Sequence, residues 1–205
     1  MLKIGVLISG GGTNLQALID NINEGNIDGK IELIVSNKKD AYGLIRGKLA
    51  GIETLYLDPK VYATSEEYNL KLIEEFIKRQ IDLVVLAGYL KILSEDFIKT
   101  FKNRIINIHP SLIPSFCGDG YYGERVHQAV LDYGCKYTGA TVHFVDEGTD
   151  TGPIILQEVV KVEEDDDVNT LKEKVLKIEH KLLCQAVRLF CQDRIILKGR
   201  NTKII

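Results

Sequence analysis

The stretch Leu2-Lys3-Ile4-Gly5-Val6-Leu7-Ile8-Ser9-Gly10-Gly11-Gly12-Thr13-Asn14 is an apolar run of strand length, then a glycine turn, then a hydroxyl and an amide side chain. An amphipathic run over residues 15–22 follows it. A continuous apolar run suits a strand buried on both faces, and the switch to helical spacing after the glycines marks a β-loop-α unit. The alternation then repeats. Strands are expected at residues 31–36, 53–57, 81–87 and 104–108, with helices near 41–50, from Thr64 through Arg79, and from Ser94 through Phe101. Thr64 and Glu67 have capping-box spacing, and Gly88 closes the fourth strand. This rhythm predicts an α/β fold with a doubly wound, mostly parallel sheet.

Beyond residue 110 the rhythm changes. A glycine- and tyrosine-rich loop at 118–123 leads to a short helix at 126–133, and strands at 141–145 and 153–162 are expected to pair antiparallel. Asp165-Asp166-Asp167 opens a long C-terminal helix over 168–192, with acidic residues where the helix dipole favours them. Residues 194–205 have the pattern of a small hairpin.

The 205 residues, 45% of them hydrophobic, suffice for one compact domain, and a single domain over 1–205 is the expectation. The 26 basic and 29 acidic side chains are spread along the chain and leave a net charge of −3, so no nucleic-acid footprint is visible and a small-molecule partner is favoured. The first apolar run is too short to span a membrane and lacks a cleavage-site pattern, so no membrane partner and a cytoplasmic location are expected. Cys117, Cys135, Cys184 and Cys191 show no metal-ligand spacing, so no metal is expected. The sequence leaves open whether the chain forms a homo-oligomer.

Chemistry concentrates in two places. Gly10 to Asn14 puts backbone N–H groups, Thr13 and Asn14 at a helix start directly after a buried strand, which suits a phosphate, although a tight turn with Asn14 as helix cap fits the same residues. It is neither a P-loop nor a dinucleotide fingerprint, because Leu15 stands where the third glycine of the latter belongs. The second place is Asn107-Ile108-His109-Pro110-Ser111-Leu112-Ile113-Pro114. Asn107 and His109 share one face of a strand end that Pro110 terminates. Alone they could be a structural polar pair. Asp150, in the acidic loop Asp146-Glu147-Gly148-Thr149-Asp150-Thr151-Gly152-Pro153, would complete a proton-transfer site. His143 lies on an alternating strand and could face either way, and His127 and His180 sit on helices.

These residues, together with Leu86-Ala87-Gly88-Tyr89-Leu90-Lys91-Ile92-Leu93 and His143-Phe144-Val145, resemble the phosphoribosylglycinamide formyltransferases, the folate-dependent enzymes that formylate glycinamide ribonucleotide in purine synthesis. The resemblance runs from the first strand to the long last helix and implies their Rossmann-like fold. It implies that residues 1–110 form the half that takes the phosphorylated substrate, and that 85–165 form the folate and catalytic half. It further implies that Asn107, His109 and Asp150 are catalytic and that Gly12, Thr13 and Asn14 hold the substrate phosphate. Glu179 would meet the ribose, against the alternative of an ordinary exposed helix glutamate. Lys91, Ile92, Leu93, Glu147, Gly148, Thr149 and Asp150 would line the 10-formyltetrahydrofolate site, mainly through backbone groups, with Leu86 and Val145 as pocket walls.

This chain departs from the pattern at three points. Lys91 stands where many relatives have arginine, the segment 115–125 is longer, and Leu176 replaces a polar or basic residue, with Lys177 beside it. Other readings are a methionyl-tRNA formyltransferase core, a formyltetrahydrofolate hydrolase, or a non-catalytic folate- or phosphometabolite-binding module. The first is expected to add a C-terminal nucleic-acid-binding domain and the second an N-terminal regulatory domain. A mildly acidic chain of this length, whose first strand begins at residue 2, favours the ribonucleotide enzyme, and an intact trio disfavours the binding module.

Overall fold

A computed structural model describes residues 1–205. Seven strands form one sheet in the order β3-β2-β1-β4-β5-β6-β7, and two more form a separate hairpin. The chain divides into two compact units, Met1–Ile106 and Asn107–Ile205.

In the first unit, β1 (Leu2–Ile8) runs parallel to β2 (Gly29–Ser36) on one side and to β4 (Leu83–Leu86) on the other, and β2 pairs in parallel with β3 (Thr54–Tyr56). Ile4 to Ile8, apart from Gly5, present apolar side chains that are fully buried, as the unbroken run requires. Helices α1 (Thr13–Asn23), α2 (Tyr42–Leu49), α3 (Ser65–Lys78) and α4 (Glu95–Thr100) alternate with these strands. Phe76, Phe97 and Phe101 form an aromatic cluster with centroid separations of 5.0 to 5.9 Å. The Thr64 hydroxyl accepts the Glu67 amide as expected, and the Glu67 carboxylate reaches back to the Ala63 amide. Expected and observed bounds differ by a residue or two at most ends. A short 3₁₀ turn at Pro59–Val61, with Asp58 as its cap, has no counterpart in the sequence reading.

In the second unit, β6 (Tyr137–Phe144) and β7 (Ile154–Lys161) pair antiparallel, with a register shift between Val142 and His143. Here β6 begins four residues before the expected start at 141. The reason lies at Gly139, where an added Cβ would sit 2.1 Å from the Glu158 carbonyl oxygen. A glycine that punctuates the sequence thus lies inside the strand and lets β7 come close. Helix α5 is Glu124–Tyr133, and α6 (Val168–Cys191) starts with a capping box in which Asp167 and Thr170 bond each other's backbone. The buried stripe of α6 includes Leu171, Val175, Glu179, Leu182, Leu183 and Ala186. Strands β8 (Ile195–Lys198) and β9 (Asn201–Ile204) form the expected hairpin. No helix of the chain is long and apolar enough to cross a membrane.

Candidate active site

Strand β5 (Ile105–His109) delivers Asn107 and His109, and Pro110 ends it. The turn beyond is pinned through Thr141 on β6. Its hydroxyl donates to the Ser111 carbonyl at 2.6 Å and accepts from the Ile113 amide at 3.1 Å and from Gln157 at 2.9 Å. Asp150 arrives from the other direction, on the loop between β6 and β7, with φ +57. That loop is braced by Asp146, whose carboxylate accepts from Thr151 at 2.5 Å and from the Gly148 amide at 3.3 Å. Gly152 then passes so close to β6 that an added Cβ would lie 1.8 Å from the Phe144 carbonyl oxygen. No side chain larger than glycine's hydrogen fits that crossing.

The three side chains expected to act together do meet, and a fourth joins them. His109 Nδ1 lies 3.4 Å from Asp150 Oδ2, Asn107 Nδ2 lies 3.3 Å from Asp150 Oδ1, and His143 Nε2 lies 3.6 Å from the same oxygen. Asn107 Nδ2 is also 3.1 Å from His143 Nε2, while His143 Nδ1 is 2.8 Å from the Phe144 carbonyl. Its Nδ1 thus faces the carbonyl, while its Nε2 faces the Asn107 amide and the Asp150 carboxylate together. Both Asn107 N–H groups are therefore engaged, one with His143 and one, at longer range, with Asp150. Donation to a substrate oxygen would draw on the longer bond.

His109 is flanked by two acceptors. Nε2 lies 2.9 Å from the Phe116 carbonyl, and Nδ1 faces the Asp150 carboxylate. Either neutral tautomer leaves one ring lone pair against an oxygen, and only the imidazolium satisfies both. Burial opposes that charge and holds the His109 pKa below the ordinary histidine value, against the raising effects of Asp150 and the Phe116 carbonyl. Burial acts to raise the Asp150 carboxyl, but the rings of His143 and His109 and the Gly118 amide outweigh it, so the group stays below the usual carboxylate range. Asp150 is a carboxylate at neutral pH. Burial, with the Asp150 charge beside it, pushes the Cys117 thiol up and keeps it protonated.

The remaining expected residues are placed as follows. Gly12, with φ +70, is the N-cap of α1, and no side chain caps that helix. Thr13 and Asn14 begin the helix itself, so Asn14 is not its cap, the alternative left open by the sequence. Arg46 on α2 reaches the same loop, with Nε 2.8 Å from the Gly11 carbonyl and Nη1 3.1 Å from Gln16. Glu179 is buried within the stripe of α6, which excludes the reading of an ordinary exposed glutamate. In the run 91–93, Lys91 Nζ stands 5.6 Å from the centre of the Tyr68 ring, Ile92 is exposed, and the Leu93 side chain turns into the core. Leu86 is likewise buried in β4 and Val145 is half-buried. Glu147, Gly148 and Thr149 are exposed on the loop that carries Asp150.

The sequence leaves the facing of His143 open and does not point to Arg46. The facing of His143 has one local signal, the polar pair Thr141 and His143, two apart and interleaved with Ala140, Val142 and Phe144. Arg46 carries no local signal, because only the packing of α2 brings it to the glycine loop.

A family model for formyl transferases matches residues 2–187. The chain belongs to the formyl transferase family. It is similar in fold to the crystal structure of glycinamide ribonucleotide transformylase 1 from Symbiobacterium toebii, with a TM-score of 0.95 and 43% identity, covering 100% of this chain and 94% of that one. Its sequence is 39% identical over 194 residues to a chloroplastic phosphoribosylglycinamide formyltransferase of Arabidopsis thaliana, covering 94% of this chain and 66% of the relative. It is 42% identical over 205 residues to the human trifunctional purine biosynthetic protein adenosine-3, covering 98% of this chain and 19% of that protein. The chain thus spans just under two thirds of the plant formyl transferase relative and about a fifth of the human one.

Proposed function

We propose that this chain transfers a formyl group from 10-formyltetrahydrofolate to the amine of 5'-phosphoribosylglycinamide, giving formylglycinamide ribonucleotide and tetrahydrofolate, and that residues 1–205 act as one formyltransferase domain in the cytoplasm. The observation that carries the reading is the contact of Asn107, His109 and Asp150 within one cluster of a formyl transferase family member. The amine nitrogen attacks the formyl carbon, the carbonyl oxygen gains negative charge, and the bond from that carbon to N10 then breaks. His109, with its two ring nitrogens directed at the Phe116 carbonyl and Asp150, stabilises the oxygen through the positive charge of its imidazolium, and Asn107 supplies an N–H to it. The Asp150 carboxylate stabilises the His109 imidazolium and, directly or through water, takes the proton lost by the amine and returns it to the leaving N10. The chemistry requires no metal and no covalent enzyme intermediate.

The substrate phosphate is assigned to Gly12, Thr13 and Asn14, supported by a helix start without a side-chain cap and by the Arg46 guanidinium at the same loop. Glu179 is assigned to the ribose hydroxyls, and its burial favours a specific role over a solvated one. Folate is assigned to the backbone of Lys91, Ile92 and Leu93 and to residues 147–150, with the exposed Ile92 as an apolar contact. The test is transfer of labelled formyl from the folate to the ribonucleotide by the purified protein. Appearance of label in the ribonucleotide supports the reading, and release of formate irrespective of the amine would instead make the chain a hydrolase.

A further inference from the structure

Residues 115–121 reach back onto both proposed proton-handling groups. The Phe116 carbonyl lies 2.9 Å from His109 Nε2, and the Gly118 amide donates to Asp150 Oδ2 at 3.0 Å. The segment is tied down on its other side as well. Asp119 Oδ1 accepts from the Thr149 hydroxyl at 3.1 Å, one residue before Asp150, and the Ser115 carbonyl accepts from Ser111 at 2.6 Å, two residues after His109. The Phe116 ring meets Tyr121 and Tyr133 edge to face at 6.1 and 6.0 Å. Phe116 and Asp150 both hold left-handed backbone, with φ +48 and +57, and Gly118 has φ +86.

A loop that only closed the surface would have no reason to hold a phenylalanine in the left-handed conformation that residues with a side chain disfavour. Nor would it need to aim its carbonyl at one histidine and the next amide but one at the carboxylate beside it. The ring contacts fix Phe116, Phe116 fixes the carbonyl, and the carbonyl gives Nε2 of His109 an acceptor in one direction. Asp119 fixes the same segment to the loop that carries Asp150. The geometry points to residues 115–121 as a positioning strap, in which Phe116 and Asp119 act through His109 and Asp150 to hold the ring and the carboxylate in their working orientation. Phe116 and Asp119 are positioning residues and are not assigned any contact with the reacting atoms. This adds to the formyl-transfer reading and rests on it for its kinetic arm.

The experiment compares the wild-type chain with Asp119→Ala, Asp119→Asn, Phe116→Ala and Phe116→Tyr. Steady-state formyl transfer is measured alongside the water-exchange rate of the His109 Nε2 proton by NMR. The two alanine variants are expected to lower kcat about five- to tenfold, the size of one or two lost hydrogen bonds, with the ribonucleotide KM changed less than about twofold. Asparagine keeps an acceptor for Thr149 and tyrosine keeps the ring, so both should retain at least about half the wild-type kcat. Exchange of the His109 proton should quicken about tenfold in the alanine variants alone. Unchanged kcat in Asp119→Ala, KM rising in step with the fall in kcat, or failure of Asp119→Asn to restore turnover would each overturn the strap. Asp119 is exposed, so its variants remain informative if Phe116→Ala does not fold. If wild-type protein transfers no formyl group, the functional reading fails. The exchange rates then judge the strap alone, and equal rates in wild type and both alanine variants would overturn it.

Discussion

His109 Nδ1 and Asp150 Oδ2 stand 3.4 Å apart, and neither group has a free choice of protonation: the carboxylate is held below its usual range while burial works against the imidazolium it faces. The carboxylate is therefore ionised at neutral pH, the form that can accept a proton from an attacking amine.

Replacement of Asp150 by asparagine removes the charge that stabilises the imidazolium while keeping the size of the side chain. We expect kcat to fall by about two to four orders of magnitude and the ribonucleotide KM to change by less than about threefold. Initial-rate kinetics over both substrates check this.

Arg46→Met and Glu179→Gln alter groups assigned to binding. Each should raise the ribonucleotide KM, by about tenfold, and leave kcat within about threefold. The same kinetics applied to all three variants test the division between holding the substrate and moving protons, because equal losses in KM and kcat for every variant would abolish it.

A buried histidine away from the proposed trio sets a pH limit on stability. His127 on α5 is 2% exposed, its Nδ1 has no hydrogen-bond partner, and burial first, then the Lys172 charge, lowers its pKa to about 4. Its folded value is depressed, so as pH falls below about 6.5 the unfolded chain takes up a proton that the folded chain refuses, and stability drops through that window. From about pH 7.5 to about pH 5 the loss from this residue is about 2 kcal/mol. Urea unfolding at the two pH values should show that decline in wild type and a smaller one, by about that amount, in His127→Gln.

Much of the fold and part of the site can be read from residue type and spacing. The unbroken apolar run of β1, the glycine turn after it and the alternation up to β5 are local patterns, and Pro110 marks where the strand ends. Asn107, His109 and Asp150 were accessible because a shared strand face and an acidic loop are sequence features. The role of His143 is not legible in the sequence, since alternation along β6 defines two faces and only the packing of the chain decides which of them meets Asp150. The Phe116 carbonyl and Gly118 amide could not be found at all, because every residue carries such groups and only the path of the chain selects which two are used.

The crossing at Gly152 is a purely steric demand. Gly152→Ala must push a methyl group into the Phe144 carbonyl, and we expect a loss of about 3 kcal/mol or more, with turnover falling as the Asp150 loop moves. Denaturant midpoints for wild type and variant check the first, and the accompanying rate checks the second.

The central claim, that the cluster of Asn107, His109 and Asp150 moves a formyl group between two bound substrates, is tested most directly in a single turnover. Enzyme in excess over labelled 10-formyltetrahydrofolate is mixed with glycinamide ribonucleotide, and ribonucleotide label and tetrahydrofolate are followed together. The account predicts equal amounts of formylated ribonucleotide and tetrahydrofolate from the wild-type chain, formed orders of magnitude more slowly by Asp150→Asn. Binding of both substrates by the wild-type chain with no label transferred would contradict it.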